Sequence, residues 1–168
     1  MGSDPSTPVA VLMGSDSDLD VMNSCVAQLR ELGLEATVRI ISAHRTPEVA
    51  AEFAQSAEGR GIKVIFAGAG MAAHLAGTLA AWTTLPVIGV PLGVKTPLAG
   101  VDALLSTVQM PPGVPVATVG IGKAGARNAA ILAAEILALS EPPLRERLIL
   151  FKKNQAQKVR DKDAALGS

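Results

Sequence analysis

At 168 residues, with 15 Lys and Arg against 15 Asp and Glu, the chain is long enough for one domain with a substantial core and carries no formal net charge. That balance removes the polybasic face by which nucleic acid or an anionic membrane would be held. Hydrophobic residues make up 49%, yet there is no Tyr, one Trp and three Phe, so Ala, Val, Leu and Ile must fill the core.

Met1 to Pro8 has no basic segment followed by an apolar stretch, so it is read as a disordered leader and not as a signal peptide, with one domain over 9–168. Five short apolar runs then read as strands: Val9 to Met13, Ala36 to Ile41, Val64 to Phe66, Val87 to Val90 and Val116 to Val119. They are continuous and do not alternate, as parallel strands covered on both faces should be. Helical patterns fall between and after them, at Leu19 to Leu32, Pro47 to Glu58, Ala72 to Thr83, Val101 to Val108 and Ala126 to Leu139. Pro142-Pro143 interrupts the chain before a last amphipathic helix, Leu144 to Lys162, a candidate arm toward a neighbouring subunit or a solvated tail. The uncharged stretch from Val64 to Trp82 is split by Gly68, Gly70 and Gly77 and reads as strand, turn and helix, not as a membrane span.

Repeated βα units imply a three-layer α/β/α sandwich around a parallel sheet with right-handed crossovers. Five strands suggest the flavodoxin-like order 2-1-3-4-5, with ligands expected at the carboxyl ends of the strands around the switch between strands 1 and 3. The lone Cys25 lies in the first helix and forms no intrachain disulfide, which makes a reducing cytoplasm the simplest compartment. A positive mean hydropathy points to apolar surface covered by other subunits.

Three strand ends carry the chemistry. Strand 1 runs into Gly14-Ser15-Asp16-Ser17-Asp18, where a tight turn, two hydroxyls and the amides of a helix start can hold a phosphate. Helix capping explains the same residues, since Ser and Asp are favoured N-caps. Two aspartates beside a phosphate would repel it, so at least one is expected to point elsewhere, and Asp18 suits ribose hydroxyls. Strand 2 runs into Ser42-Ala43-His44-Arg45-Thr46-Pro47, which sets a proton-transfer group beside an anion receptor, with Pro47 opening a helix. A solvated loop His and a surface Arg are the plainer alternative. Strand 3 runs into Ala67-Gly68-Ala69-Gly70-Met71, a turn of small residues that lets backbone approach a flat ligand. His74, just inside the following helix, reads as a structural hydrogen-bonding residue. In the 2-1-3 order these corners meet in one cleft.

No metal-ligand spacing is present, the Gly-x-Gly turn lacks the full dinucleotide fingerprint, and Gly14-Ser15-Asp16-Ser17 is not a P-loop. Gly120-Ile121-Gly122-Lys123 resembles half of a P-loop and is read as the junction after strand 5. A phosphoacceptor domain would share the βα pattern and a lysine such as Lys123, but needs an Asp at the end of strand 3. A flavin carrier would need aromatics that this chain lacks. A non-catalytic assembly protein leaves the convergence of Ser15, Asp18, His44 and Arg45 without explanation.

Met13-Gly-Ser-Asp-Ser-Asp, Ser42-Ala-His-Arg-Thr-Pro, Gly68-Ala-Gly-Met-Ala-Ala-His-Leu and Gln109-Met-Pro-Pro-Gly-Val-Pro-Val-Ala-Thr-Val together resemble the PurE family of purine biosynthesis, in order and from Val9 to about Lys153. One branch of that family moves a carboxyl group within N5-carboxyaminoimidazole ribonucleotide; the other carboxylates aminoimidazole ribonucleotide with carbon dioxide directly. Arg45 after His44, where the carboxylases tend to have Lys, resembles the mutases. Ala76 stands where many members have Pro, and Lys95 and Thr96 occupy a region that usually contains a Ser.

The resemblance implies His44 as a single general acid and base. It implies Ser15, Ser17 and Arg45 on the 5′-phosphate, and Asp18 on the ribose. Ser42 joins the binding residues, and Ala69, Gly70 and Met71 form a wall against the base and carbon dioxide. It implies no metal, no organic cofactor and a homo-octamer with sites at subunit contacts. The direct carboxylase is the alternative reading.

Overall fold

The computed structural model describes residues 7–93 and 98–167. Its sheet is formed by β1 (Val9–Met13), β2 (Ala36–Ile40), β3 (Val64–Gly70), β4 (Val87–Leu92) and β5 (Ala117–Thr118), all parallel and in the order β2-β1-β3-β4-β5. The six helices among the described residues are α1 (Leu19–Glu31), α2 (Pro47–Ser56), α3 (Leu75–Ala80), α4 (Val101–Val108), α5 (Gly122–Leu137) and α6 (Pro142–Leu166). This is the flavodoxin-like architecture expected from the spacing of apolar runs.

Alternate residues of each strand point to opposite faces, and β1 divides its side chains accordingly. Val9, Val11 and Met13 pack with α1 and α5, whereas Ala10 and Leu12 pack with α2 and α3. All five are fully buried. On the second face, a Cβ on Gly89 would strike the Thr107 methyl of α4 and crowd Ala76 of α3. The absence of a side chain lets these helices sit close to β4.

Several boundaries differ from the sequence reading. β3 extends four residues beyond Phe66, through Ala67, Gly68, Ala69 and Gly70, because each pairs with β4. The small residues are therefore strand, chosen for clearance: a Cβ on Gly68 would meet the Met22 side chain, and one on Gly70 would lie 3.1 Å from the Leu92 carbonyl oxygen. β4 likewise continues to Leu92 and β5 is shorter than expected. α3 begins at Leu75 and not at Ala72, so His74 stands at its N-cap, outside the helix.

α5 starts a turn early, at Gly122, which absorbs the Gly120 to Lys123 segment into a helix start. α2 ends at Ser56, and a separate 3-10 turn covers Glu58–Arg60. Pro142 and Pro143 open α6, since neither needs its missing N–H in the first turn. Its early part is anchored by buried Leu144 and Leu148 and by an Arg147 Nε–H donated to the Leu32 carbonyl at 2.8 Å, while its distal part is exposed.

Of the proposed leader, residues 1–6 lie outside the described residues. Thr7 and Pro8 are fixed: Thr7 Oγ1 bonds Thr37 Oγ1 at 2.6 Å, and the Pro8 carbonyl accepts from Lys63 N–H at 2.8 Å. Lys95 and Thr96 also lie outside the described residues. No described helix is long and apolar enough to cross a membrane.

Candidate active site

Each of the three corners is built by local chemistry. After β1, Ser15 caps a 3-10 turn over Asp16–Asp18, with Ser15 N–H donating to Asp18 Oδ2 at 3.1 Å. Ser17 N–H donates to Ser15 Oγ at 3.3 Å and to Asp16 Oδ1 at 3.1 Å, and Ser17 Oγ lies 3.0 Å from Ser15 Oγ. Ser15 is thus the N-cap of this turn, as the capping reading of these residues has it. Burial, the largest influence, raises the Asp18 carboxyl above its ordinary range, opposed by the hydrogen bonds it accepts from Ser15, Ser17 and Gly14. The exposed Asp16 also raises it.

After β2, Ser42 and Thr46 shape the approach to α2. Ser42 N–H donates to Thr46 Oγ1 at 3.1 Å, and Thr46 Oγ1 returns a bond to the Ser42 carbonyl at 3.0 Å. Ser42 Oγ accepts from Arg45 N–H at 3.2 Å and stands 3.5 Å from Arg45 Nε. Arg45 then reaches across to the first corner, its Nη2 donating to the Gly14 carbonyl at 3.4 Å. After β3 the chain reverses at Met71, which has φ +57 although it is not glycine; a left-handed L-residue costs roughly 1–2 kcal/mol.

A second bond joins corners two and three. His44 Nε2 lies 2.8 Å from His74 Nδ1, with ring planes at 83°. One of these nitrogens carries the proton and the other accepts it. All nine residues singled out from the sequence, His44, Ser15, Ser17, Asp18, Ser42, Arg45, Ala69, Gly70 and Met71, line a single cavity of about 620 Å³. His74, weighed above as structural, lines it too, as do Gly14 and Leu92. The signal for His74 was its place just past a turn of small residues, where a side chain can turn back toward the strand ends.

Other candidates fall away. Cys25 is fully buried and its thiol is pushed up to about 12 by desolvation, which makes it inert at neutral pH. Lys123 pairs with Asp20 at 2.9 Å, and β3 ends in Gly70 with no acid for a phosphoacceptor. Among the described residues, no three His, Cys, Asp or Glu side chains gather as a metal cluster.

The family model described as AIR carboxylase matches residues 8–158. The chain belongs to that family. A relative from Pseudomonas aeruginosa named N5-carboxyaminoimidazole ribonucleotide mutase is 53% identical over 93% of this chain and 95% of its own. One of the same name from Pyrococcus abyssi is 55% identical over 87% of this chain and 82% of its own. Among solved structures, Treponema denticola PurE superposes with a TM-score of 0.86 at 29% identity, covering 95% of this AIR carboxylase family member and 98% of that chain. The small-residue strand end and the His-Arg corner therefore lie in a fold that the family shares.

Proposed function

We propose that this chain is an N5-carboxyaminoimidazole ribonucleotide mutase, moving a carboxyl group from the exocyclic nitrogen of the aminoimidazole to ring carbon C4. The observation that carries the reading is the meeting of His44, Arg45 and the Ser15 to Asp18 turn on one cavity, in a chain about half identical to enzymes of that name.

His44 acts as both acid and base. With Nε2 engaged by His74, Nδ1 is the nitrogen left for substrate. The imidazolium gives its proton to the exocyclic nitrogen as the C–N bond breaks, and the bonding pair stays on nitrogen. Carbon dioxide and aminoimidazole ribonucleotide remain in the cavity. The ring π electrons at C4 form the new C–C bond, and neutral His44 removes the C4 proton, returning to its starting state. The cycle has no net proton change, so one imidazole suffices.

Arg45 presents a planar donor fork to the 5′-phosphate, with the Ser15 and Ser17 hydroxyls completing the site. Asp18 accepts from the ribose, and Ser42 holds the Arg45 backbone. Ala69 and Gly70 bring bare backbone against the base and exclude water. The reading places the enzyme in the cytoplasm as a homo-octamer; the exposed Leu150 and Val159 of α6 favour subunit packing.

The test supplies each nucleotide separately, with and without bicarbonate. Product from the carbamate nucleotide at low bicarbonate is expected. Product only from aminoimidazole ribonucleotide plus carbon dioxide would instead support the direct carboxylase, the activity for which the matching family model is described.

A further inference from the structure

The turn after β1 is tied together by a residue that the proposed chemistry leaves unused. Asp16 Oδ1 accepts from the Ser15 hydroxyl at 3.0 Å and from the Ser17 N–H at 3.1 Å. An ionised carboxylate only accepts, so the single Ser15 hydroxyl proton is committed to Asp16. The Ser17 hydroxyl donates in turn to Ser15 Oγ at 3.0 Å. Both hydroxyl protons therefore run along one chain, from Ser17 to Ser15 to Asp16, and only oxygen lone pairs are left over. An approaching phosphate meets acceptors where it needs donors. Ser15 and Ser17 line the cavity and Asp16 does not, so the carboxylate holds these hydroxyls from outside the ligand's space. Every bond in the network lies within residues 15–18, and none depends on a neighbouring copy.

We propose that Asp16 is an internal stand-in for the 5′-phosphate: its carboxylate holds the two serine hydroxyls and the Ser17 amide until the phosphate takes them over, and so sets how tightly the phosphorylated ligand is bound. The inference rests on the mutase reading, which puts the phosphate at Ser15 and Ser17. A phosphate brings three strong acceptor oxygens and more charge than one carboxylate, so it takes the donors, and like charge then turns Asp16 away from it. No covalent bond changes; two hydroxyls rotate and one carboxylate leaves. The hold of Asp16 makes phosphate binding weaker than a bare serine turn would give. The two acids of the turn thus divide: Asp18 is tied to the Ser15 N–H at 3.1 Å and lines the cavity, whereas Asp16 withdraws.

The test measures binding by calorimetry, on the full chain without bicarbonate, of aminoimidazole ribonucleotide and of the same nucleoside lacking its phosphate. Asp16→Ala should bind the nucleotide about 3- to 10-fold tighter than wild type, through the freed serine donors, and the nucleoside equally well. Asp16→Asn keeps a neutral acceptor and should fall between the two proteins. Unchanged or weaker nucleotide binding by Asp16→Ala overturns the stand-in and leaves Asp16 a helix-start acid, as does equal tightening toward the nucleoside. Should Asp16→Ala lower the unfolding midpoint, Asp16→Asn decides, since it preserves the shape of the turn: nucleotide binding no tighter than wild type overturns the proposal. Wild-type protein that binds both ligands alike removes the phosphate from this turn, and the stand-in with it. Wild-type protein that binds neither is a separate result, which removes the mutase reading itself.

Discussion

The seam between α1 and α5 and the His44–His74 corner are held together in opposite ways. In the seam, Ala126, Ala129, Ala130, Ala133 and Ala134 are all fully buried, and a Cβ on Gly125 would run into the Gly120 carbonyl. Contact is made by many small groups at close range. In the corner, His44, Arg45 and His74 are exposed, and single hydrogen bonds reach from one strand end to the next. The difference separates stability from the proposed chemistry: side chains that carry the fold are buried against many neighbours, whereas those proposed to meet substrate are exposed and placed by single hydrogen bonds.

That separation can be tested from both sides. His44→Asn should lower kcat by about 10²–10⁴ while leaving nucleotide binding and the unfolding midpoint near wild type; near-normal isomerisation would end the acid–base assignment. Arg45→Ala should raise KM by about 10- to 100-fold through loss of charge-assisted bonds to phosphate, and an unchanged KM would remove the phosphate role. Gly125→Ala should behave in the reverse manner, costing about 1–3 kcal/mol by overpacking, seen in denaturant unfolding. Its activity per folded molecule should stay intact, and a kinetic defect there would blur the comparison.

His74→Asn should reduce kcat by less than about tenfold, because an amide still offers His44 a hydrogen bond. A loss as large as that of His44→Asn would make His74 a second proton-transfer group. The smallest effect is expected at Asp18. Its folded-state pKa is raised, chiefly by burial, so its contribution to stability is greatest below the ordinary value of 3.8 and is lost as pH rises through the raised one. Asp18→Asn should therefore flatten the fall in stability across that acidic window, measured by thermal unfolding from pH 3 upward. An unaltered profile would mean that Asp18 is not strained by burial.

How much could be read beforehand depended on the kind of signal. Unbroken apolar runs such as Val9 to Met13 identify the strands, and the βα repeat suggests their order, but the depth is not legible: β2 reads as covered on both faces and is an edge strand with Val38 and Ile40 exposed. Residues 67–70 misled because glycine and alanine mark turns in isolation; only pairing with β4 shows that they are strand thinned for close packing. The same ambiguity hid the true start of α3 and with it the placement of His74. Pro142 and Pro143 read as an interruption before a helix from Leu144, whereas they form the first turn of α6. The cavity residues were visible because strand ends converge by topology. The bonds His44–His74 and Arg45–Gly14 were not, since they depend on side-chain reach between corners 30 or more residues apart.

The serine turn after β1 has a consequence for selectivity. Its amides at Ser15 and Ser17 are already occupied by neighbouring side-chain oxygens, so an incoming phosphate must exchange with existing partners and finds no vacant donors at those two positions. Inorganic phosphate, offering only that exchange, gains little by entering. On the proposed reading, the ribose and base contacts of a full nucleotide offset that exchange, whereas inorganic phosphate alone has nothing to set against it.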